Sequence, residues 1–114
     1  MSPADPNNPA EPRRQRRRHL RVKVAVEVRL VLEKQSTPLR AQTSDLSLGG
    51  CYVEMMFTLE VGTKVKLTLF VRNEKVNVDG IVVTRHLQVG NGIQFTDMAV
   101  EDSARLRHFL TTVH

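Results

Sequence analysis

The chain has no tryptophan, one tyrosine and one cysteine in 114 residues. A single thiol, Cys51, cannot close an internal disulfide, which fits a reducing, cytoplasmic setting. Four phenylalanines and one tyrosine leave few surfaces on which bases could stack, which weighs against a single-strand nucleic-acid reader. No apolar run approaches the roughly 20 residues that a membrane helix needs. The N-terminus has no apolar h-region, so no secretory signal is expected. His19, His86, His108 and His114 have no metal-ligand spacing, and no GxxxxGK phosphate loop or nucleophile elbow is present. No metal, cofactor or catalytic centre is therefore expected, and the chain is not read as an enzyme. What is present is a hydrophobic content of 40%, ordinary for a small globular domain. The length allows one domain with a thin core, burying roughly 60–70% of its unfolded surface.

Charge is concentrated rather than spread. The net charge is +5. Residues 13–21 read RRQRRRHLR, with six arginines and no acid, whereas residues 22–114 carry 11 basic and 10 acidic side chains. The basic character belongs to one short segment and the body is close to neutral. That pattern suits an arm touching polyanions, or a local anion site, better than a broad basic surface.

Residues 1–12 hold four of the five prolines and no large apolar side chain after Met1, so a disordered leader is expected. The arginine run, 13–21, is expected to be flexible too, because like charges so close together repel. From Leu20 to Glu33, apolar residues alternate strictly with mostly polar ones, the mark of a long half-buried strand. Leu39–Leu46, Cys51–Phe57, Lys64–Val71 and Lys75–Leu87 read as further strands, with Met55 and Met56 in strand packing and Cys51 in the core. The apolar phase of Lys75–Leu87 changes at Asp79-Gly80, which predicts a bulge there. Ser47-Leu48-Gly49-Gly50 and Gly90-Asn91-Gly92 read as turns, the paired glycines supplying positive φ, and Ile93–Phe95 as the last strand. Leu106, Phe109, Leu110 and Val113 then fall on one helical stripe, with Asp97 as N-cap. The class is all-β: six antiparallel strands in a small barrel, with one C-terminal helix.

Two segments carry binding chemistry. The arginine run precedes the first strand, and Asp45-Leu46-Ser47-Leu48-Gly49-Gly50 joins the second to the third. On one barrel rim they would present guanidinium groups, a carboxylate and a hydroxyl. Guanidinium pairs bidentately with phosphate and with the O6/N7 edge of guanine. A carboxylate accepts from guanine N1–H and its exocyclic amine. Taken singly, the run is an ordinary solvated basic tail and Asp45 and Ser47 are ordinary turn formers.

Together they resemble the PilZ domain family. Arg17-Arg18-His19-Leu20-Arg21 fits the RxxxR motif, Asp45 to Gly50 fits (D/N)xSxxG, and Asn91-Gly92-Ile93-Gln94-Phe95 is similar to the family's late strand. Arg13/Arg17 and Arg14/Arg18 satisfy the same spacing; Arg17/Arg21 is preferred because Arg21 abuts the first strand. The likeness spans about residues 13–112 of a domain placed at 13–114. It implies a six-stranded PilZ-type β-barrel binding cyclic di-GMP, a bacterial second messenger. Arg17 and Arg21 would contact guanine and phosphate, Asp45 and Ser47 guanine, with Gly49 and Gly50 at the turn. Arg16 precedes the motif, where an arginine goes with an intercalated ligand dimer in this family. The expected mechanism is that the ligand orders the arginine segment and so signals to a protein partner, not yet identified. The expected assembly is a monomer or weak homodimer without a membrane span. The alternative is a small nucleic-acid-binding barrel with an arginine-rich arm, whose affinity would fall steeply with salt.

Overall fold

The computed structural model describes residues 21–113; the leader and the arginines before Arg21 lie outside them. The described chain forms β1 (Glu27–Leu32), β2 (Leu39–Leu46), β3 (Gly50–Glu54), β4 (Lys64–Val71), β5 (Glu74–His86), β6 (Gly90–Met98) and a helix, α1 (Val100–Thr112). All neighbours are antiparallel, and the order β1-β2-β3-β6-β5-β4 closes through β1 and β4 into a barrel. Closure leaves no free strand edge. The expected all-β barrel with a C-terminal helix is therefore the observed fold.

The alternation of the first strand has a direct outcome. Val22, Val26, Val28 and Leu30 are buried, as period two requires. The regular ladder nevertheless starts only at Glu27. Ahead of it the Thr43 hydroxyl stands in for ladder bonds: it accepts from Val26 N at 2.9 Å and donates to Val24 O at 2.7 Å. Val22 and Leu46 then exchange two backbone bonds of 2.9 Å. The extended segment is thus fastened to β2 along its length, and Arg21 is brought beside the end of β2.

β2 and β4 have the expected limits, and the other elements differ for physical reasons. β3 ends at Glu54. Met55 packs partly on the core, but Met56 and Phe57 lie past the strand and are 69% and 86% exposed, so the expected strand packing of Met56 is not seen. Gly90-Asn91-Gly92 is not a turn but the start of β6. The turn falls at Leu87–Val89, where Gln88 takes the left-handed φ of 63°. Asn91 is fully buried and accepts from Leu59 N while donating to Leu59 O and Thr84 O. It pins the β3–β4 connection.

The β5–β6 register does shift at Asp79-Gly80, but the extra residue there is Thr96 on β6. β5 keeps one phase through Val76, Val78, Gly80 and Val82, all buried, with Ile81 and Val83 facing outward. The inward residue is Gly80 because the barrel is narrow there: a Cβ would come within 2.8 Å of Ile93 Cγ2. A second shift places the extra β5 residue at Val83.

The helix buries Leu106, Phe109 and Leu110 against the barrel. Its N-cap is Ala99, not Asp97, and no side chain caps it. Asp97 is held in the β6 ladder opposite Asp79, and the ladder takes precedence over the cap. Asp102 ties the first turn to β5, accepting from Asn77 N at 3.0 Å. Arg72 ties the last turn, donating to Thr112 Oγ1 at 3.0 Å and lying over the Phe109 ring. Its charge sits where the helix dipole is negative.

Candidate functional site

The site begins with a bulge in β2. In the β2–β3 ladder Thr43 opposes Val53 and Asp45 opposes Tyr52, so Ser44 is the extra residue. Leu39, Ala41 and Thr43 lie on the inner side, and Leu46 is buried again. Plain alternation from Thr43 would turn Asp45 inward and Leu46 outward. The bulge reverses both: Leu46 fills the core and the Asp45 carboxylate reaches the surface.

There it meets Arg21. Arg21 Nη1 lies 2.5 Å from Asp45 Oδ1, with the two side chains 57% and 25% exposed. The Val22–Leu46 bridge sets this contact. Among the described residues Asp45 Oδ2 has no partner, so none of them takes the second carboxylate oxygen.

Ser47 is placed differently. It is buried, and its Oγ accepts from Gly49 N at 3.1 Å and Gly50 N at 3.2 Å while donating to Gly50 O at 3.2 Å. A hydroxyl has one donor and two acceptor positions, so the β2–β3 turn uses all three. Gly49 O accepts from Phe95 N at 2.9 Å, tying the turn to β6. Neither Gly49 nor Gly50 takes positive φ, contrary to expectation. Gly50 is required by close approach instead, since a Cβ there would run into the Ile93 carbonyl oxygen. Thus Arg21, Asp45, Ser47, Gly49 and Gly50 gather at one end of β2 and β3. Arg16 and Arg17 lie outside the described residues.

Two neighbours complete the surroundings: Cys51, in the core as expected, and Tyr52, which was not singled out from the sequence. Cys51 is buried behind Asp45; burial first, and the Asp45 carboxylate second, push its thiol up to about 12, with Arg21 opposing. It is a neutral core group. Tyr52 stands directly across from Asp45 on the outward side, half-buried. Its Oη lies 2.9 Å from His86 Nδ1, and the two rings are 5.8 Å apart. It is the chain's one tyrosine, on the strand the second motif leads into, and that adjacency was the available signal.

The resulting surface offers a guanidinium, a carboxylate and a fixed aromatic side by side. It can pair with an oxyanion, accept from an N–H edge and pack against a flat ring. Among the described residues no group of acids, histidines or cysteines is placed to hold a metal, and no helix is long and apolar enough to cross a membrane.

Comparisons with known proteins follow the same outline. The fold is similar to the Bacillus subtilis inhibitor of motility MotI/DgrA (17% identity, TM-score 0.69, covering 86% of this chain and 53% of that one). It is also similar to the PilZ domain of Escherichia coli YcgR, solved with c-di-GMP (17% identity, TM-score 0.68, 87% and 92% covered). A third similar structure is the PilZ domain of CeSA from a cellulose-synthesizing bacterium (18% identity, TM-score 0.67, 83% and 99% covered). The chain thus spans about half the length of MotI/DgrA. A comparison with curated protein sequences found no match. Residues 15–112 match the PilZ domain, which takes in the bulged strand, the glycine turn and the helix, and the chain belongs to that family.

Proposed function

We propose that this chain is a bacterial, cytoplasmic receptor for cyclic di-GMP that passes its signal to a protein partner. The observation that carries this reading is the Arg21–Asp45 contact. It joins the last arginine of one family motif to the aspartate of the other on an exposed face. The YcgR PilZ domain, solved with c-di-GMP, has the same fold.

In this proposal Arg17 and Arg21 take phosphate and guanine, and Asp45 accepts from the guanine N1–H edge through its second oxygen. Arg16 takes part in holding an intercalated ligand dimer. Ser47, with Gly49 and Gly50, sets the height of the turn. Ser47 touches the ligand only by giving up one of its turn bonds. Tyr52 supplies an apolar wall beside Asp45. The ligand's two negative charges fix the arginine segment 13–21 on this face and change the surface a partner meets. No cofactor is required.

Calorimetry of the full chain with cyclic di-GMP tests this, with GMP and a short single-stranded oligonucleotide as controls at two salt concentrations. Saturable, guanine-specific heat is expected, at two ligands per chain. Arg17→Ala, Arg21→Ala and Asp45→Ala should each weaken binding by at least about tenfold, the loss of one charge-assisted hydrogen bond. Variants that bind like the parent would remove the site assignment. Oligonucleotide binding that falls steeply with salt, without cyclic di-GMP heat, would replace the receptor by a basic-arm barrel.

A further inference from the structure

The outer face of β1, β2 and β4 carries a second cationic feature, away from the Asp45 surface. Arg29 on β1 and Arg40 on β2 are direct cross-strand partners, and both point outward. At a spacing of about 5 Å, like charges directly opposite are unfavourable. Neither arginine makes an ion pair among the described residues. Glu27, two residues before Arg29 on the same face, is exposed and forms none either. Asp79, further along, is taken by Lys66 at 3.2 Å.

Arg29 is also partly stripped of water. Its guanidinium lies 4.9 Å over the centre of the Phe70 ring, and Lys75 approaches the same ring at 5.8 Å. Its Nε is buried with no hydrogen-bond partner. A charge desolvated on one edge and left unneutralised is costly. It therefore gains more from an incoming anion than a fully hydrated arginine would.

We infer that Arg29 and Arg40 form a docking point for a carboxylate side chain of a protein partner. A carboxylate between two facing guanidinium groups relieves their repulsion and takes up terminal N–H donors that no described residue uses. The neighbourhood selects a protein rather than a phosphate chain. Glu27, Glu33 and Asp79 are interspersed with the cations, so the described residues form no continuous basic stripe for a polyphosphate backbone. Half-buried Phe70 and Val31 supply the apolar surround common at protein interfaces. Arg40 and Asp45 are five residues apart on β2, about 16 Å at strand spacing. The docking point and the Asp45 surface are thus carried by the same strand yet are separate.

The test is a side-chain NMR titration of the full chain labelled on arginine, using hexaglutamate as the probe, with hexaglutamine and inorganic pyrophosphate as controls. Hexaglutamate should shift the Arg29 and Arg40 Nε–Hε signals saturably. Arg72, Arg85 and Arg105 serve as internal references and should stay in place. Arg29→Gln and Arg40→Gln should each weaken the peptide about tenfold without changing cyclic di-GMP heat, so that failure here and failure of the receptor reading are told apart. Lys64→Gln, on the same face, should have little effect. No shift, or equal movement of every arginine signal, overturns the docking point. Tighter binding of pyrophosphate than of hexaglutamate overturns the carboxylate assignment.

Discussion

Cys51 shows how the site and the core share a boundary at the scale of one residue. Its thiol is buried one strand behind Asp45, and the two effects that raise it to about 12 from an ordinary 9.0 are burial and that carboxylate. The folded state therefore favours the neutral thiol. Its contribution to stability is full below about pH 9 and is lost as the pH rises toward 12. Only thiolate reacts with alkylating agents. At pH 8 iodoacetamide should modify the native chain on the order of a thousandfold more slowly than the urea-unfolded chain, from thiolate fraction alone. Comparable rates would mean that Cys51 is open to solvent. Residue identity alone places Asp45 and Arg21 at the surface, because charge cannot be buried cheaply. It was a poor guide to Ser47, whose hydroxyl is small enough to be taken up entirely by the turn it sits in.

At the scale of the element, the β2 bulge decides what the Asp45 surface displays. Deleting Ser44 removes the extra residue and leaves plain alternation with Thr43 inward, Asp45 outward and Leu46 inward, the same faces that the bulge gives them. No charge is buried and no core side chain is expelled, so urea unfolding should show a cooperative native state for the deletion, within about 3 kcal/mol of the parent. Ser44→Ala, which keeps the residue count, should stay within about 0.5 kcal/mol of the parent. A deletion with no native state would show that the local geometry of the bulge, and not the parity of the strand, holds β2 in place. The two strands with unbroken alternation or a clean turn on each side, β2 and β4, were readable to the residue. The bulges were not, because an extra residue is a property of a pair of strands. The apparent phase change in β5 is met by Thr96 on β6, and Ser44 is recognised only once Tyr52 lies opposite Asp45. Asp97 misled for a similar reason, since its local preference for a cap gave way to a ladder partner distant in sequence.

On the scale of the whole molecule, charge and core occupy different parts of the chain. Among the described residues the buried core begins at Val22, whereas five of the six arginines in 13–21 precede Arg21. The barrel closes on itself through β1 and β4, and α1 is fastened at both ends by Asp102 and Arg72. The barrel strands and α1 all lie at Glu27 or later, while the proposed ligand site depends on Arg16 and Arg17. A chain lacking residues 1–20 should melt within about 5 °C of the parent, a change of about 1 kcal/mol or less for a domain of this size. The same chain should give no cyclic di-GMP heat, because Asp45 and Arg21 alone supply one carboxylate and one guanidinium for a ligand with two phosphates. Retained binding would place the site wholly on the barrel and release Arg16 and Arg17 from it. A large fall in melting temperature would mean that the segment before Arg21 contributes to the core, and the division between a neutral folded body and a ligand-binding arm would not hold.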